Sequence, residues 1–599
     1  MIIGDLCKEY DVLVSKQQAP AYGYDNVNVP YGLVIDDGGT LVSVRPLGDF
    51  SGKKPKNIIP VPARVTRSSG IAANFLCDTV AYMLGYDAKG KPERAAKSFK
   101  ACGELHRLVL HDVEGPAAAA VRAFFVRDAQ WETARRLMGE ESWEAALSMN
   151  FILQYTDGAH TDFVGDADGV KEAWSVYYDR EDGGDGSETV ETVTSLVSGR
   201  EVIPAKIHPK IKGVAGAQSS GASLVSFNAP AFCSYGAEQN ENAPMSKREA
   251  YEYTTALNVL LLDRDRVQRI GDDTVVSWAR CGDAGYPDLF GHWQGDPTGR
   301  SVSGELDESA VKAATRALSQ GRPYDYNGIR LNPDEEFHVL ALTPNAARLS
   351  VRYYLTDTFG TFARNIERHY RDTEILRPGY DTTVFLPTWR LLNQTIRQQS
   401  RNAKVSAEMA GAVMKAILNG TAYPVTLINA VERRINAERD VSPDKAAIIK
   451  AYYLRKTTNE QFKEVLRMDI NTESDYLPYV LGRLFSVYEQ IQLAAIPGVK
   501  TTIKDRYFTG AAATPARIFP ILGRLEASHM RKAWEYEGRK RNLAALRDEL
   551  AEKVGDRYPV RLSLEEQGAF QLGYYFENQR RFSRKNKNQS DDGQGADHD

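Results

Sequence analysis

The sequence predicts an α+β protein, with a mixed α/β N-terminal part followed by a C-terminal helical bundle. Three observations predict it. Alternating apolar runs around tight turns mark strands in the first half. From about Phe385 onward the apolar period becomes helical. The segments there carry their own caps.

Taken in order, "YGLVIDDGGTLVSVRPL" is a β-hairpin, two apolar runs around an Asp-Gly-Gly turn. Helices are expected from about Glu93 to Leu110 and from Pro116 to Met138. "SMNFILQYT" and "AWSVYYD" read as strands, and the acidic, Gly-rich "DREDGGDGSE" (179–188) as an exposed loop. "LVSFNAPAF", "DTVVSWAR" and "ARLSVRYYLTD" read as further strands. The last sets Leu349, Val351 and Tyr353 against Arg348, Ser350 and Arg352.

In the helical half, "VSAEMAGAVMKAILNG" ends on Gly420, a suitable residue for leaving a helix. "SPDKAAIIKAYYLRK" starts with Ser442 as N-cap and Pro443 behind it. "SLEEQGAFQLGYYFENQ" opens on a capping box, Ser563 with Glu566. The polar tail 583–599 is expected to be disordered. The resulting division is 1–345 mixed α/β, 346–467 a connecting strand and helices, 468–582 a helical bundle, then the tail.

The chain has 599 residues and a net charge of −4, so any polyanion must be met by local basic patches. Five scattered cysteines without a CxxC pair fit a reduced compartment and no structural zinc. The charged N-terminus "MIIGDLCKEYD" does not fit a signal peptide, and no apolar run is long enough to span a membrane. A soluble cytoplasmic protein is expected. Phosphate-loop, dinucleotide, zinc-protease and serine-hydrolase signatures are missing, and no cofactor is implied. His111–Asp112 lacks companion ligands for a metal phosphohydrolase, and Gly271–Asp273 reads as a turn.

"RVTRSSGIAANFLCDTVAYMLG", Arg64 to Gly85, is the first specific stretch. A helix over Ile71–Leu84, capped by Ser68 or Ser69, would bury Cys77 in its apolar stripe. Asn74 and Asp78 would share another face. The exposed amides of the helix start, with Arg64, Arg67, Ser68, Ser69 and Gly70, would then hold an anion such as a nucleic-acid backbone, while Asn74 reaches a base edge. By pattern alone, a solvated turn ahead of a capped helix accounts for it equally well. In "AKIHPKIKGVAGAQSSGASLVSFNAPAF", alternation would set Lys206, His208, Lys210 and Lys212 on one side of an extended segment. Gln218 and Ser219 follow in a Gly/Ser-rich loop able to approach a partner's backbone. A lysine-decorated connection is the plainer reading.

Together with "ENAPMSKREAYEYTTALN", "ARLSVRYYLTDTFGTFARNI", "YVLGRLFSVYEQIQ" and "TPARIFPILGRLEASH", these stretches resemble one family over most of the chain. It is the large subunit of the type I-C CRISPR Cascade complex, the subtype-c member of the Cas-eight group. The acidic loop 179–188 and the acidic tail depart from that pattern. The resemblance implies a non-catalytic subunit that recognises the PAM (the short motif beside the target) in duplex DNA, aids strand separation and recruits the helicase-nuclease Cas-three. Its partners would be the crRNA-bound Cascade backbone, a Cas-five-type subunit and small subunits.

The resemblance further implies that a small subunit is made by internal translation. Met468 is the candidate start, because Lys463-Glu464-Val465 can be encoded as a ribosome-binding sequence just upstream. The fragment's core would draw on Tyr476, Leu481, Leu484, Val487, Ile518, Leu522, Leu525, Phe570 and Tyr574. Its Arg506, Arg517, Arg524, Arg531, Lys532, Arg539, Lys540 and Arg541 would follow the displaced strand's phosphates. Two readings stand against this one: a metal-dependent nuclease using scattered carboxylates, and a scaffold without DNA contacts.

Overall fold

The computed structural model describes residues 1–50, 55–65, 70–87, 90–180, 192–205, 207–227, 229–295, 308–383, 385–397, 405–532 and 537–592. At 180, 308, 537–540 and 581–592 it describes the backbone alone. About half the chain is helical and 15% is strand, the expected α+β class. It forms two compact units, Met1–Ile211 with Ser223–Val259, and Lys212–Ala222 with Leu260–Asp599.

The first unit is built on a sheet in the order Leu41–Pro46, Tyr31–Ile35, Asn150–Thr156, Cys77–Thr79. The hairpin is the one expected. Its turn is closed by Thr40 N–H on Asp36 Oδ1 at 2.8 Å. Gly39 sits there at φ +71, and a Cβ would lie 2.4 Å from the Phe124 amide nitrogen, so only glycine fits. Tyr31–Ile35 pairs in parallel with Asn150–Thr156, which requires a long crossover. The crossover carries the helices Pro92–Val109, Pro116–Phe124, Trp131–Met138 and Glu140–Ala146.

Three sequence expectations are corrected in this unit. The helix expected over Pro116–Met138 is broken between Phe124 and Trp131. The intervening residues bond to the hairpin instead: Arg127 donates to Gly38 O at 2.9 Å and Gln130 to Gly39 O at 3.1 Å. "AWSVYYD" belongs to the helix Val170–Arg180. Trp174, Tyr177 and Tyr178 follow helical spacing, and Trp174 stacks on Phe75 with ring centroids 5.3 Å apart. The described residues of "LVSFNAPAF" form no strand; they are irregular, with one 3₁₀ turn at Pro230–Phe232, where Pro230 has no amide to give a ladder.

The second unit holds an antiparallel sheet in the order Val267–Ile270, Asp273–Ala279, Glu336–Asn345, Arg348–Thr358. Gly271–Asp273 is its first turn, as expected. In Arg348–Thr358 a bulge opposite Ala341/Leu342 interrupts the alternation, and Val351 is exposed rather than buried with Leu349 and Tyr353. Ser442 caps Pro443–Leu454, and the Ser563/Glu566 box caps the last helix. That helix, Leu564–Asp592, runs through the first part of the tail expected to be disordered. Between Gly573 and Gly593 the sequence offers no Pro or Gly to end it.

One continuous core runs from this sheet into the C-terminal helices. The second unit takes in Leu260–Asp599 together with Lys212–Ala222. Leu477–Ala495 and Leu564–Asp592 cross with their backbones almost touching. A Cβ on Gly482 would lie 1.9 Å from Phe570 O, and one on Gly573 2.1 Å from Tyr479 O.

Candidate nucleic-acid interface

The expected helix over Ile71–Leu84 does not form. The chain runs irregularly to Phe75, makes the short strand Cys77–Thr79, then one helical turn, Val80–Met83. Leu76 is at φ +58, a left-handed conformation that no α-helix contains. It is fixed there because its amide donates to His106 Nε2 at 2.8 Å. His106 in turn places Nδ1 2.7 Å from Cys102 O. Burial pushes this imidazole down to about 4, so at neutral pH it is an uncharged acceptor. Cys77 is buried as expected, but on the strand.

Without the helix there is no helix N-terminus beside Asn74. Asn74 is instead buried at the root of the loop. Its amide donates to Asp78 Oδ2 at 2.9 Å, and its Oδ1 accepts from Val65 N–H at 2.9 Å. The two polar residues expected to face outward thus clasp the loop from inside. Arg64 is exposed, and its amide is anchored on Asp25 Oδ2 at 2.9 Å. Gly70 is exposed at φ +90, and Arg94 Nη2 donates to its carbonyl at 3.1 Å. Arg94 is a cation of this loop that sequence reading missed, since it lies on a helix 24 residues away. Arg67, Ser68 and Ser69 lie outside the described residues.

The lysine-bearing segment does not present one face. His208 is buried, with Nδ1 2.9 Å from Tyr253 Oη, whereas Lys210 and Lys212 are exposed. The ring's partner on the following helix overrides the alternation. Lys206 lies outside the described residues. Gln218 and Ser219, in the second unit, are exposed in a turn closed by Gly221 N–H on Gln218 O at 2.9 Å.

The C-terminal cations form a clearer arrangement. Arg517, Arg524 and Arg531 are exposed on Pro515–Lys532. Spaced seven apart, they make one stripe along the helix. Phe519, Leu522 and Glu526 are buried on the other side. Arg524 and Arg531 bond back to Pro520 O and Ala527 O at 3.3 and 3.2 Å. Among the described residues, no carboxylate pairs with any of the three. Arg506 is exposed on the neighbouring helix Ile503–Ala513, Lys532 at the stripe's end, and Arg541 on Glu537–Val554. The side chains of Arg539 and Lys540 lie outside the description.

Met468 is half exposed in the link between Glu460–Lys463 and Leu477–Ala495, and its carbonyl accepts from Leu376 N–H at 2.8 Å. Tyr476, Leu481, Leu484, Val487, Leu522, Phe570 and Tyr574 are buried as expected, with Ile518 and Leu525 packed against them. The last helix also faces the preceding chain: Gln571 Nε2 donates to Glu432 at 2.7 Å, and Tyr575 Oη to Leu376 O at 2.6 Å. Among the described residues, no group of three metal-ligating side chains gathers, and no helix is long and apolar enough to cross a membrane.

Exposed cations thus lie on the loop at Arg64 and along the helix Pro515–Lys532. Residues 6–582 match the family model described as a CRISPR-associated protein, Cas_Csd1. The chain therefore belongs to this family, that of the type I-C Cascade large subunit, as the resemblance implied. No curated protein matches it.

Proposed function

We propose that this chain is the non-catalytic, PAM-recognising large subunit of a crRNA-guided surveillance complex in the cytoplasm. The loop rooted on Asn74 carries Arg64, Arg67, Ser68, Ser69 and Gly70 toward duplex DNA, with Arg94 beside it. Lys206, Lys210, Lys212, Gln218 and Ser219 assist. Guide pairing supplies the sequence specificity beyond the PAM. The chain aids opening of the duplex, docks with the Cascade backbone and Cas-five-type subunits, and recruits the helicase-nuclease.

The observation that carries the reading is the arginine stripe Arg517–Arg524–Arg531, three exposed cations about 10 Å apart along one helix face. Such a stripe tracks a single strand's phosphates without reading bases. The test is duplex binding by the assembled complex, with and without a PAM, across a salt series. Tighter binding of the PAM duplex, with a salt slope that falls when the stripe is neutralised, supports the reading. Equal binding of both duplexes and no salt dependence would leave only a scaffold. DNA cleavage by the purified chain with Mg²⁺ or Mn²⁺, abolished by a carboxylate substitution, would favour the nuclease.

A further inference from the structure

The helix Pro92–Val109 holds the candidate PAM loop along its length. Arg94 Nη2 donates to Gly70 O at 3.1 Å, Cys102 Sγ lies 3.9 Å from Asn74 O, and His106 Nε2 accepts from Leu76 N–H at 2.8 Å. The stretch from Gly70 to Leu76 therefore advances with the helix, over the about 18 Å that twelve helical residues span. Where the loop meets DNA, the outer surface of this helix is carried with it.

Phe99, Cys102 and His106 turn to the core, whereas Arg94, Lys97 and Lys100 are exposed. Spaced three apart, the three cations are surface neighbours, about 5–6 Å between successive Cβ atoms. Each step of three falls about 60° short of a full turn. The band thus starts at the loop margin with Arg94 and crosses the outer face through Lys97 and Lys100. The Arg94 guanidinium is met by a carbonyl, which leaves its charge in place. Among the described residues no carboxylate pairs with Lys97. Lys100 has Glu104 at 3.9 Å, both side chains more than half exposed, a pairing that water weakens. Glu93 sits in the first turn, where the helix's own amides favour it.

The same face says which nucleic acid it suits. None of its exposed residues is aromatic, and Phe99 is buried. Unpaired strands are held on rings against which their bases stack. Cations without rings suit the phosphates of paired DNA. Guide pairing separates the target on one side of the PAM, so the flank that stays paired lies on the other, outer side.

We propose that Arg94, Lys97 and Lys100 form a ledge for one phosphate backbone of the duplex flanking the PAM on its outer side. One helix then holds both the loop and the flank, which sets the register of the duplex against the loop. This rests on the PAM-recognition reading above.

The experiment measures binding of the assembled complex to PAM targets whose outer flank is long and paired, cut back to the PAM, or long and single-stranded. The native complex is expected to bind the long paired flank most tightly. Lys97→Ala/Lys100→Ala is expected to lose roughly tenfold on that target, with the salt slope lowered by roughly two, and to match the native complex on the cut-back target. Both side chains are exposed, so the double variant keeps the fold. No loss on the long flank, an equal loss on both lengths, or native binding as tight to the single-stranded flank as to the paired one overturns the ledge while PAM discrimination stays intact. Failure of the double variant to assemble would show that this face meets another subunit, and also overturns the ledge. Absence of PAM discrimination by the native complex overturns the underlying reading instead.

Discussion

Arg483 Nε and Glu577 Oε2 lie 2.9 Å apart in the interior of the second unit, where their side chains are 0% and 3% exposed. The pair ties Leu477–Ala495 to Leu564–Asp592 one residue beyond the Gly482 contact. Removing one partner strands a buried charge. Glu577→Gln is therefore expected to cost about 3–5 kcal/mol in a urea melt. The double variant Arg483→Met/Glu577→Leu is expected to regain most of it. Equal loss in both would show that packing, not charge, is what the pair supplies.

The glycine crossing makes a second prediction about the same helices. Gly482→Ala puts a methyl group against Phe570 O, backbone that cannot move aside without shifting the helix. A loss of about 1–3 kcal/mol or more is expected. Gly523→Ala, where nothing lies within 4 Å, is expected to be neutral or slightly stabilising in the same melt.

Glu432 predicts a pH dependence. Burial pushes its carboxyl up to about 7, against an ordinary value of 4.5, and Gln571 offsets part of that. A raised carboxyl keeps its proton in the folded state after the unfolded chain has released it. Stability from this group is therefore greatest below 4.5 and falls as pH rises toward about 7. The fall amounts to roughly 3 kcal/mol. Glu432→Gln is expected to flatten it, read from melts across that window.

At the candidate PAM loop, Asn74→Ala removes the oxygen that accepts from Val65 N–H, and is expected to weaken binding of the PAM duplex by loosening the loop, with assembly intact. The buried position of Asn74 adds that the loop itself should become more protease-sensitive. Arg64→Ala and Arg67→Ala are expected to weaken all duplexes alike, lowering the salt slope by roughly one each. A loss confined to one PAM would instead mean that these arginines read bases.

Expressing the gene with a C-terminal tag is expected to yield a second, short product beginning at Met468, seen by intact mass. Silent recoding of codons 463–465, or Met468→Leu, should remove it. A short product that survives both changes, or none from the native gene, excludes this start.

The sequence by itself determined what depends on neighbours in the chain. The hairpin at Tyr31–Pro46 follows from alternation around Asp36–Thr40. The caps at Ser442 and Ser563 follow from short-range hydrogen bonds, and the arginine stripe follows from a spacing of seven on a helix. The family was legible in the same way, from stretches kept in order along most of the chain. Tertiary structure decided the rest, because distant groups outweigh local preference. Asn74 lies in no helix because His106, 30 residues beyond Leu76, holds the Leu76 amide in a left-handed turn. His208 leaves its lysine neighbours because Tyr253 offers a buried partner. The second sheet and the C-terminal helices share one core, built from residues between Ile270 and Phe576. Local hydrogen bonds and periodicity can be read from a few residues at a time. A hydrogen bond or core contact made across tens or hundreds of residues has no signature in either segment alone, and only the folded chain shows it.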